Sequence, residues 1–421
     1  MRSLEQTVAA GVLRRIESAP VPAVKKCAIA YSGGLDSTLG IELLRRIYRA
    51  EEIVPITVDV GQGQVEVEMA RKRSVQLEVE PLTIDARQTF GSQWLARAIR
   101  ANGSYWGYPV STSMTRQLIA QVVASKAVEL ECDAILEGST GRGNDQYRMH
   151  NVFKMFAPEL TVLVPVRDFD LTRREELELC RSWGVPVEEV ISGGDDKTLW
   201  CRSIASGAVA LNQQIPESIW MWYVPPEKAA DRPDFVEIAF EQGLPVTLDG
   251  QAMSLMELID ALNRRAGVCG LGRIDIFEDG IMGLKSREIY EAPAAVLILA
   301  VKADLEGQCL SKEEREFKRL VDNRWASLIY HGEWFHPLKE ELDAFIERSQ
   351  RAVNGRVRVK LYKGSLEIVD RERPWSSLFY PEIRSIDSSG FDQRWCSDAA
   401  KIRGLPFEIL ARREARGKEM Q

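Results

Sequence analysis

Short apolar runs alternate with segments of helical periodicity near the start of the chain. Three runs have the length and composition of buried strands: 27–31, 53–60 and 82–84. Between them, 37–48 and 65–77 carry apolar residues at the spacing of one helix face. Strands separated by helices of this length pair in parallel, with right-handed crossovers. The pattern therefore predicts an α/β domain built on a parallel sheet.

The same alternation continues to about residue 188. A helical pattern over 113–130 precedes another strand-like run at 133–137. Thr172 and Glu175 then have the spacing of a capping box, in which each side chain satisfies a backbone N–H of the other residue. This spacing predicts that a further helix begins just after Thr172.

Farther along, short strands joined by turns replace the alternation. They are predicted at 234–241, 244–248, 356–363 and 365–369, with helices at 254–265 and 312–330. This arrangement is typical of an α+β domain. We therefore predict an N-terminal extension, a parallel-sheet domain, a second α+β domain and a C-terminal helical tail, at 1–25, 26–188, 189–395 and 396–421.

The composition argues against several classes of protein. The 421 residues are 45% hydrophobic and 28% charged, as in a soluble globular protein, and no apolar stretch predicts a membrane span. A formal charge of −7 argues against a nucleic-acid partner, because there is no excess of cations to neutralise phosphates. Seven scattered cysteines, without a Cys-x-x-Cys pair, indicate reduced thiols and a cytoplasmic location. Three histidines without nearby cysteines argue against a zinc site.

A glycine-rich segment lies between the first predicted strand and the first predicted helix of this domain. It reads Ser32-Gly33-Gly34-Leu35-Asp36-Ser37-Thr38. Glycines let successive backbone N–H groups converge on an anion, and the helix N-terminus and hydroxyls add donors. The lysine of a Walker A loop is absent. A plain strand-to-helix turn is the alternative, but the strand, the helix, the Asp and the hydroxyl pair together favour a phosphate site.

A second glycine-rich segment follows the strand predicted at 133–137. It reads Glu137-Gly138-Ser139-Thr140-Gly141-Arg142-Gly143-Asn144-Asp145-Gln146-Tyr147-Arg148. Its mixture of groups suits a small zwitterion, with an amide or guanidinium on a carboxylate and Asp145 on an ammonium. A polar surface loop is the alternative. The density of different polar groups favours a binding site.

Together with further motifs, these loops resemble those of a known family. The segment 32–38 is similar to the pyrophosphate loop of the N-type ATP pyrophosphatases. Other matching segments are Val60-Gly61-Gln62, 108–116, Gly272-Arg273-Ile274-Asp275 and 283–293. Over about 26–370, with these segments in the same order, the chain resembles argininosuccinate synthase.

The resemblance implies a HUP-like nucleotide-binding domain, an α+β synthetase and multimerisation domain, and a helical tail. It implies a ligase of arginine biosynthesis, in which ATP adenylates the ureido oxygen of citrulline and the amine of aspartate then displaces AMP. Mg²⁺ is expected to neutralise phosphate oxygens. The substrates are expected to be small molecules, without a nucleic-acid or membrane partner. A cytoplasmic homotetramer is expected.

The resemblance also assigns residues by motif position. The implied catalytic residues are Asp36, Ser37 and Asp145. ATP is expected at Ala30, Tyr31, Ser32, Gly33, Gly34, Leu35, Asp36, Ser37, Thr38, Val58 and Gly138. Aspartate is expected at Thr140, Asn144 and Asp145. Citrulline or a related acceptor is expected at Tyr108, Ser113, Asn144, Arg148, Ser203, Glu278 and Tyr290. No protein ligand for a metal is assigned.

Several positions depart from the family pattern. Glu137 stands where the family has His, and Ser37-Thr38 reverses the usual order of the two hydroxyls. Where the amino-acid end of citrulline is expected, a serine is replaced by Gly194 and a glutamate by Ala205. A hydrogen bond to a charged group contributes roughly 1.5–3 kcal/mol, which is enough to shift acceptor preference by one or two orders of magnitude.

Two explanations of these departures stay open. In one, Ser192, Asp195 or Asp196 supplies the missing groups and the acceptor is citrulline. In the other, the chain is a paralogue that joins aspartate to a different ureido or amide acceptor. A tRNA-modifying adenylating enzyme is disfavoured, because paired relay cysteines and a basic surplus are absent. The intact loops at 32–38 and 138–148 disfavour a non-catalytic relative.

Overall fold

Parallel strands form the first part of the chain, as the alternation of apolar runs predicts. The computed structural model describes residues 2–185, 195–205, 207–385, 387 and 389–419. In the first part the strands are β1 (Lys26–Ala30), β2 (Glu52–Asp59), β3 (Leu82–Asp85), β4 (Ser104–Tyr105), β5 (Tyr108–Pro109), β6 (Ala134–Leu136) and β7 (Thr161–Leu163). Strands β4 and β5 form a small hairpin. The others pair in parallel, in the order β3-β2-β1-β6-β7.

The central strand β1 is covered on both faces and pairs with β2 and β6. Cys27, Ala28 and Ile29 are fully buried, which explains why this segment is a continuous apolar run. In a parallel sheet the carboxyl ends of neighbouring strands lie at one edge. The loops that follow β1 and β6 therefore begin side by side.

Helices of this part follow the predicted periodicity. They are α1 (Arg2–Glu17), α2 (Leu35–Arg46), α3 (Gln64–Gln76), α4 (Arg87–Thr89), α5 (Ala96–Arg100), α6 (Thr112–Glu129), α7 (Asp145–Phe156), α8 (Pro165–Asp168) and α9 (Arg173–Trp183). The predicted capping box is present, because Thr172 and Glu175 each bond the other's backbone N–H. A π-helical segment, Phe90–Leu95, joins α4 to α5, and the apolar spacing does not indicate it.

Antiparallel sheets form the second part. The strands are β8 (Asp195–Lys197), β9 (Arg202–Ile204), β10 (Asp234–Glu241), β11 (Leu244–Leu248), β12 (Gln251–Ala252), β13 (Arg273–Asp279), β14 (Lys285–Glu291), β15 (Gly355–Tyr362) and β16 (Ser365–Arg371). They pair in the orders β12-β11-β10-β15-β16 and β13-β14-β9-β8. The helices are α10 (Leu255–Val268), α11 (Pro293–Cys309), α12 (Lys312–Tyr330) and α13 (Pro337–Gln350). The structure confirms the prediction that an α/β part is followed along the chain by an α+β part.

A shared hydrophobic core joins the parallel sheet to the second part. It contains Val58 of β2, Leu258 of α10 and Val357 of β15, all of them buried. Trp94, in the π-helical segment, stacks on Trp334 with ring centroids 3.7 Å apart. Both parts belong to a compact unit of residues 1–376. This shared core holds loops from both parts in fixed relative positions.

Residues 377–421 form a second unit, with helices α14 (Pro381–Arg384) and α15 (Trp395–Glu419). The predicted helical tail is thereby confirmed, while the domain limits at 188 and 395 stay predictions. Helix α15 carries exposed apolar side chains: Ile402, Leu405, Phe407, Ile409 and Leu410. Within the part of the chain that the structure describes, every helix is too short or too polar to cross a bilayer.

Buried charges connect α11 and α12 beneath Asn102. Lys302 is fully buried, and its ammonium donates to the Glu306 carboxylate at 2.6 Å and to Asn102 Oδ1 at 2.7 Å. Lys318 donates to Asp322 at 2.7 Å and lies 3.2 Å from Glu306. Two cations therefore face two carboxylates away from water. Burial lowers the pKa of Lys302 to about 8, and Glu306 opposes that shift.

We predict that Lys302→Met lowers the free energy of unfolding by about 3–5 kcal/mol, because a buried carboxylate loses its partner cation. The measurement is urea denaturation followed by circular dichroism. The control is Lys312→Met, since Lys312 is exposed and lies 3.8 Å from the exposed Glu316. The control should change stability by less than about 0.5 kcal/mol. Equal losses in the two variants would show that the buried cluster has no special role.

Candidate active site

The loop after β1 is a tight turn against α3. Gly33 has φ +73°, and a Cβ there would lie 2.6 Å from the Cα of Ala70, so only glycine fits. Ser32 Oγ accepts from the Gly34 N–H at 3.2 Å and lies 3.2 Å from Ser37 Oγ. Helix α2 starts directly afterwards, and its N-cap makes no side-chain bond to the first N–H groups. These N–H groups face the carboxyl edge of the sheet as a site for an anion.

The loop after β6 lies against this first loop. A Cβ on Gly138 would lie 3.1 Å from the Cβ of Asp36 and 3.2 Å from the N of Ser37. On the sheet side, Val58 is buried, and the Tyr31 hydroxyl lies 3.4 Å from Thr38 Oγ1. The residues that the resemblance assigns to ATP thus surround one edge of the sheet, with the second loop as its far wall.

A cavity of about 340 Å³ opens beside Asp36. Its lining includes Thr140, Asp36, Glu176 and the arginines at 142, 167 and 173. Asp36 accepts from Arg173 at 2.6 Å. Burial, with Asp36 close by, raises the pKa of Glu176 to about 9, so this carboxyl is neutral at pH 7. The positive charge of the three arginines exceeds the negative charge of the remaining carboxylates in the lining. A cavity with net positive charge suits a polyphosphate.

Asp145 lies at the start of α7 between two arginines. Its oxygens accept from Arg116 at 2.8 Å and from Arg148 at 2.9 Å. Arg116 also donates to the carboxylate of Asp196. Burial works against ionisation of Asp145, but the two guanidinium groups hold its pKa below the ordinary value. The predicted ammonium ligand is therefore already paired with cations in the described structure.

Most residues assigned to the acceptor form one buried cluster. Tyr108 stacks on Tyr290 with centroids 3.9 Å apart and planes 5° apart. The Tyr290 hydroxyl donates to Glu278 at 2.9 Å. Ser203 on β9 is the register partner of Tyr290 on β14. Asn144 and Arg148 reach the same cluster from α7 and its N-cap, through the contacts of Tyr330.

Two assigned residues are less closely connected. Ser113, in the first turn of α6, is buried, and its hydroxyl has no hydrogen-bond partner among the described residues. Thr140 lines the cavity beside Asp36 rather than the cluster around Tyr290. The residues assigned to ATP lie at the loop after β1, at Val58 on β2 and at Gly138, and Asp145 is tied to the cluster by its bond with Arg148.

Comparison with known proteins decides the family. The family model of the arginosuccinate synthase N-terminal HUP domain matches residues 26–186, and that of the arginosuccinate synthase C-terminal domain matches 194–410. The chain belongs to the argininosuccinate synthase family. The enzyme of that name from Methanopyrus kandleri is 42% identical over 93% of this chain and 100% of its own length. The one from Methanosarcina barkeri is 41% identical over 90% of this chain and 96% of its own length.

A solved structure, the U34-tRNA thiolase NcsA from Methanococcus maripaludis, shares 15% identity with a TM-score of 0.32, covering 44% of this chain and 66% of its own. That similarity is too low to bear on function.

One departure from the argininosuccinate synthase pattern lies at the end of β9. Gly194 and Ser192 lie outside the described residues, as does the side chain of Asp195. Ser203 pairs with Tyr290, and Ile204, the last residue of β9, pairs with Ile289 of β14. Ala205 follows β9 directly, and Glu288 precedes Ile289 on β14. The strand that pairs with β9 therefore carries a carboxylate next to the last paired position.

Three polar groups of the cluster received no role from sequence reasoning. Glu288 is half-buried, and burial together with Glu278 raises its pKa to about 7. The sequence contained a signal for Glu288, because it lies two residues from Tyr290 on one strand and such residues share a face of the sheet. Arg116 lay within a matching motif of the argininosuccinate synthase family, next to the assigned Ser113. Tyr330 lies at a helix end outside those motifs, and nothing in the adjacent sequence indicates a functional role for it.

Glu137, which replaces the family histidine, is buried under the second loop. It is 1% exposed; one oxygen accepts from the Ser139 N–H at 2.8 Å, and the other has no partner among the described residues. Burial raises the pKa of this carboxyl from 4.5 to about 7, although the Ser139 bonds oppose the shift. Ionisation at the base of the loop is thereby moved close to neutral pH.

We predict that Glu137 makes the protein less stable as the pH rises from 5 to 8. Below pH 4.5 the carboxyl is neutral in both the folded and the unfolded chain. At higher pH the unfolded chain loses the proton first, and this favours unfolding until the folded pKa is passed. Between pH 5 and pH 8, the free energy of unfolding of the wild type should fall by about 2 kcal/mol relative to that of Glu137→Gln, in which residue 137 does not titrate. Urea denaturation at pH 5 and pH 8 measures the difference, and parallel pH curves for the two proteins would contradict it.

Proposed function

We propose that this chain condenses citrulline with aspartate to argininosuccinate, using ATP and releasing AMP and pyrophosphate. The observation that carries the proposal is the position of the segment 137–148. Its Gly138 packs on the phosphate loop at Asp36, and its Asn144 and Arg148 contact the acceptor cluster. One loop and the helix after it therefore join a nucleotide site to a site for charged small molecules.

In the proposed reaction, the ureido oxygen attacks the α-phosphorus of ATP and the bond to pyrophosphate breaks. The backbone N–H groups at 35–37, with the hydroxyls of Ser32 and Ser37, bind the phosphates, and the arginines beside Asp36 stabilise the leaving pyrophosphate. The amine of aspartate then attacks the activated carbon, loses a proton, and AMP leaves. Closely held reactants make both steps effectively intramolecular.

Mg²⁺ is proposed to accompany ATP. No group of three or more His, Cys, Asp or Glu side chains capable of holding a metal occurs among the described residues. Mg²⁺ usually keeps several waters and binds one or two carboxylates together with substrate phosphates, so a single carboxylate at the phosphate loop fits it. Asp36 would be that carboxylate, in exchange for its ion pair with Arg173, and the ion would neutralise charge on the phosphate oxygens.

Aspartate is proposed to bind at Thr140, Asn144 and Asp145, beside the Arg116 guanidinium. For the acceptor, Arg148 offers a cation to a carboxylate, and Glu278 and Glu288 offer carboxylates to an ammonium. An α-amino acid with a ureido group matches this arrangement, which supports citrulline. The acceptor of a paralogue is favoured by one observation only, the short Ala205 side chain directly after β9.

A cytoplasmic homotetramer is part of the proposal. The observation that supports self-association is the exposed apolar row on α15, which a second copy of the chain would bury.

We predict that citrulline and aspartate together, but neither alone, release pyrophosphate from ATP to completion. The measurement is a coupled pyrophosphate assay with argininosuccinate identified by mass spectrometry. A panel of ureido and amide acceptors is tested beside citrulline at equal concentration. Turnover of another acceptor with at least tenfold higher kcat/KM than citrulline would replace the proposal with the paralogue.

We predict that Asp36→Asn lowers kcat/KM by about a hundredfold or more, because the carboxylate proposed to hold Mg²⁺ against the phosphates is lost. The matched control is Asp260→Asn, which removes an exposed carboxylate paired with Arg264 on α10. The control should retain wild-type turnover in the pyrophosphate assay. Wild-type turnover by Asp36→Asn would remove Asp36 from the reaction.

A further inference from the structure

Tyr330 is the last residue of α12, and it is fully buried beside the acceptor cluster. Its ring stacks on Tyr105, with centroids 3.8 Å apart and planes 13° apart. The Arg148 guanidinium lies 4.7 Å from the centroid of the Tyr330 ring. A large aromatic side chain at a helix end is ordinarily explained by packing alone. The polar contacts of Tyr330 require more than packing.

The Tyr330 hydroxyl lies between two residues that are assigned to the acceptor. It donates to Glu278 Oε1 at 2.7 Å and accepts from Asn144 Nδ2 at 3.0 Å. The carbonyl of Asp279 is a longer alternative acceptor at 3.3 Å. A hydroxyl has one proton, and the shorter bond to a carboxylate is the stronger one. The Tyr330 hydroxyl is therefore the hydrogen-bond donor to Glu278.

The same hydroxyl sets the orientation of both neighbours. Glu278 Oε2 accepts from Tyr290 at 2.9 Å, so two tyrosine hydroxyls hold the two oxygens of the carboxylate. The other end of the Asn144 amide accepts from the Ile281 N–H at 2.9 Å. That bond assigns Oδ1 to Ile281 and directs Nδ2 to Tyr330. Neither side chain is able to rotate without breaking a hydrogen bond.

The backbone of Tyr330 holds a third acceptor residue. Its carbonyl is one of the last in α12, where no N–H of the helix is available to it. Arg148 Nε donates to that carbonyl at 2.9 Å, while Nη1 of the same guanidinium donates to Asp145 at 2.9 Å. A cation at a helix C-terminus also interacts favourably with the helix dipole. Arg148 is thereby fixed between α12 and Asp145.

We propose that Tyr330 is a positioning residue that sets acceptor affinity through Glu278 and Asn144. It brings α12 of the second part into contact with the loop that carries the aspartate site, and it orients a carboxylate and an amide toward one bound amino acid. The inference rests on the proposed function, because Glu278 and Asn144 matter to affinity only where the acceptor binds. Tyr330 is not required to touch the substrate.

The test uses Tyr330→Phe, which keeps the ring, the stack on Tyr105 and the backbone carbonyl but removes the hydroxyl. The control is Tyr105→Phe in the other ring of the same stack. Its hydroxyl makes a long contact, 3.5 Å from the Asp279 carbonyl, and a side-chain hydrogen bond with the neighbouring Trp106, so its recorded partners are not Glu278 or Asn144. The pair separates the Tyr330 hydroxyl from aromatic packing.

We expect Tyr330→Phe to raise KM for the acceptor by about tenfold to a hundredfold, the effect of losing a hydrogen bond to a charged group. KM for ATP and kcat should change by less than about threefold, because the lost contact serves binding of the acceptor in ground state and transition state alike. Calorimetric titration of the acceptor should show the same loss of affinity. Tyr105→Phe should match the wild type in all of these quantities.

A double-mutant cycle tests whether the effect passes through Glu278. In a Glu278→Gln background, the further change Tyr330→Phe should raise KM by less than about threefold, because its partner is already altered. The full effect in both backgrounds would overturn this route. Thermal unfolding of each variant identifies loss of folding, and Tyr330→Phe should unfold within a few degrees of Tyr105→Phe.

The outcomes separate this inference from the proposed function. If the wild type does not use citrulline, the proposed function fails, and the cycle is run with the acceptor that the panel identifies. If the wild type is active and Tyr330→Phe equals Tyr105→Phe in KM and in acceptor titration, the inference on Tyr330 is wrong while the proposed function stands. Equal rises in KM for ATP and for the acceptor would indicate a general structural defect and would also overturn it.

Discussion

The pairing of β6 beside β1 is the constraint on which the site depends. Parallel pairing brings the carboxyl ends of the two strands together, so the loops that follow them meet at one edge of the sheet. At Gly138 they approach so closely that a Cβ would press on Asp36 and Ser37. The second loop then continues into α7, which carries Asp145 and Arg148. A single contact between two loops therefore sets the distance between the nucleotide site and the amino-acid site.

Paired charges and hydroxyls hold the side chains of the proposed amino-acid site in place. Asp196, Arg116, Asp145 and Arg148 alternate in sign along one chain of ion pairs. Such a chain gives the buried Arg148 and its partly buried neighbours a partner each, which offsets the cost of removing charge from water. In the proposed reaction, a bound aspartate or acceptor would exchange its own charges with this chain instead of entering an apolar space.

Carboxyl groups with raised pKa values occur on both sides of the site. Glu137, Glu176 and Glu288 each hold a proton more tightly than an exposed glutamate, mainly because burial penalises the charged form. Glu176 lines the cavity beside Asp36 and Glu137 lies under the second loop, where an additional negative charge would oppose the proposed binding of ATP. With pKa values of about 9 and about 7, Glu176 is protonated at neutral pH and Glu137 is protonated in part, which limits the negative charge near the arginines.

The amino-acid sequence by itself determined the parallel sheet, the glycine-rich loop after its first strand, the capping box at Thr172 and the family, because each depends on local spacing. Alternating apolar runs specify strands and helices, and glycines at fixed offsets specify the loops. Only the tertiary structure decided which side chains meet. Tyr330 joins Asn144 to Glu278 across more than a hundred residues of chain, and Ser203 comes to lie opposite Tyr290 through strand register. Such contacts arise from how separate elements pack, and no spacing along the chain encodes them.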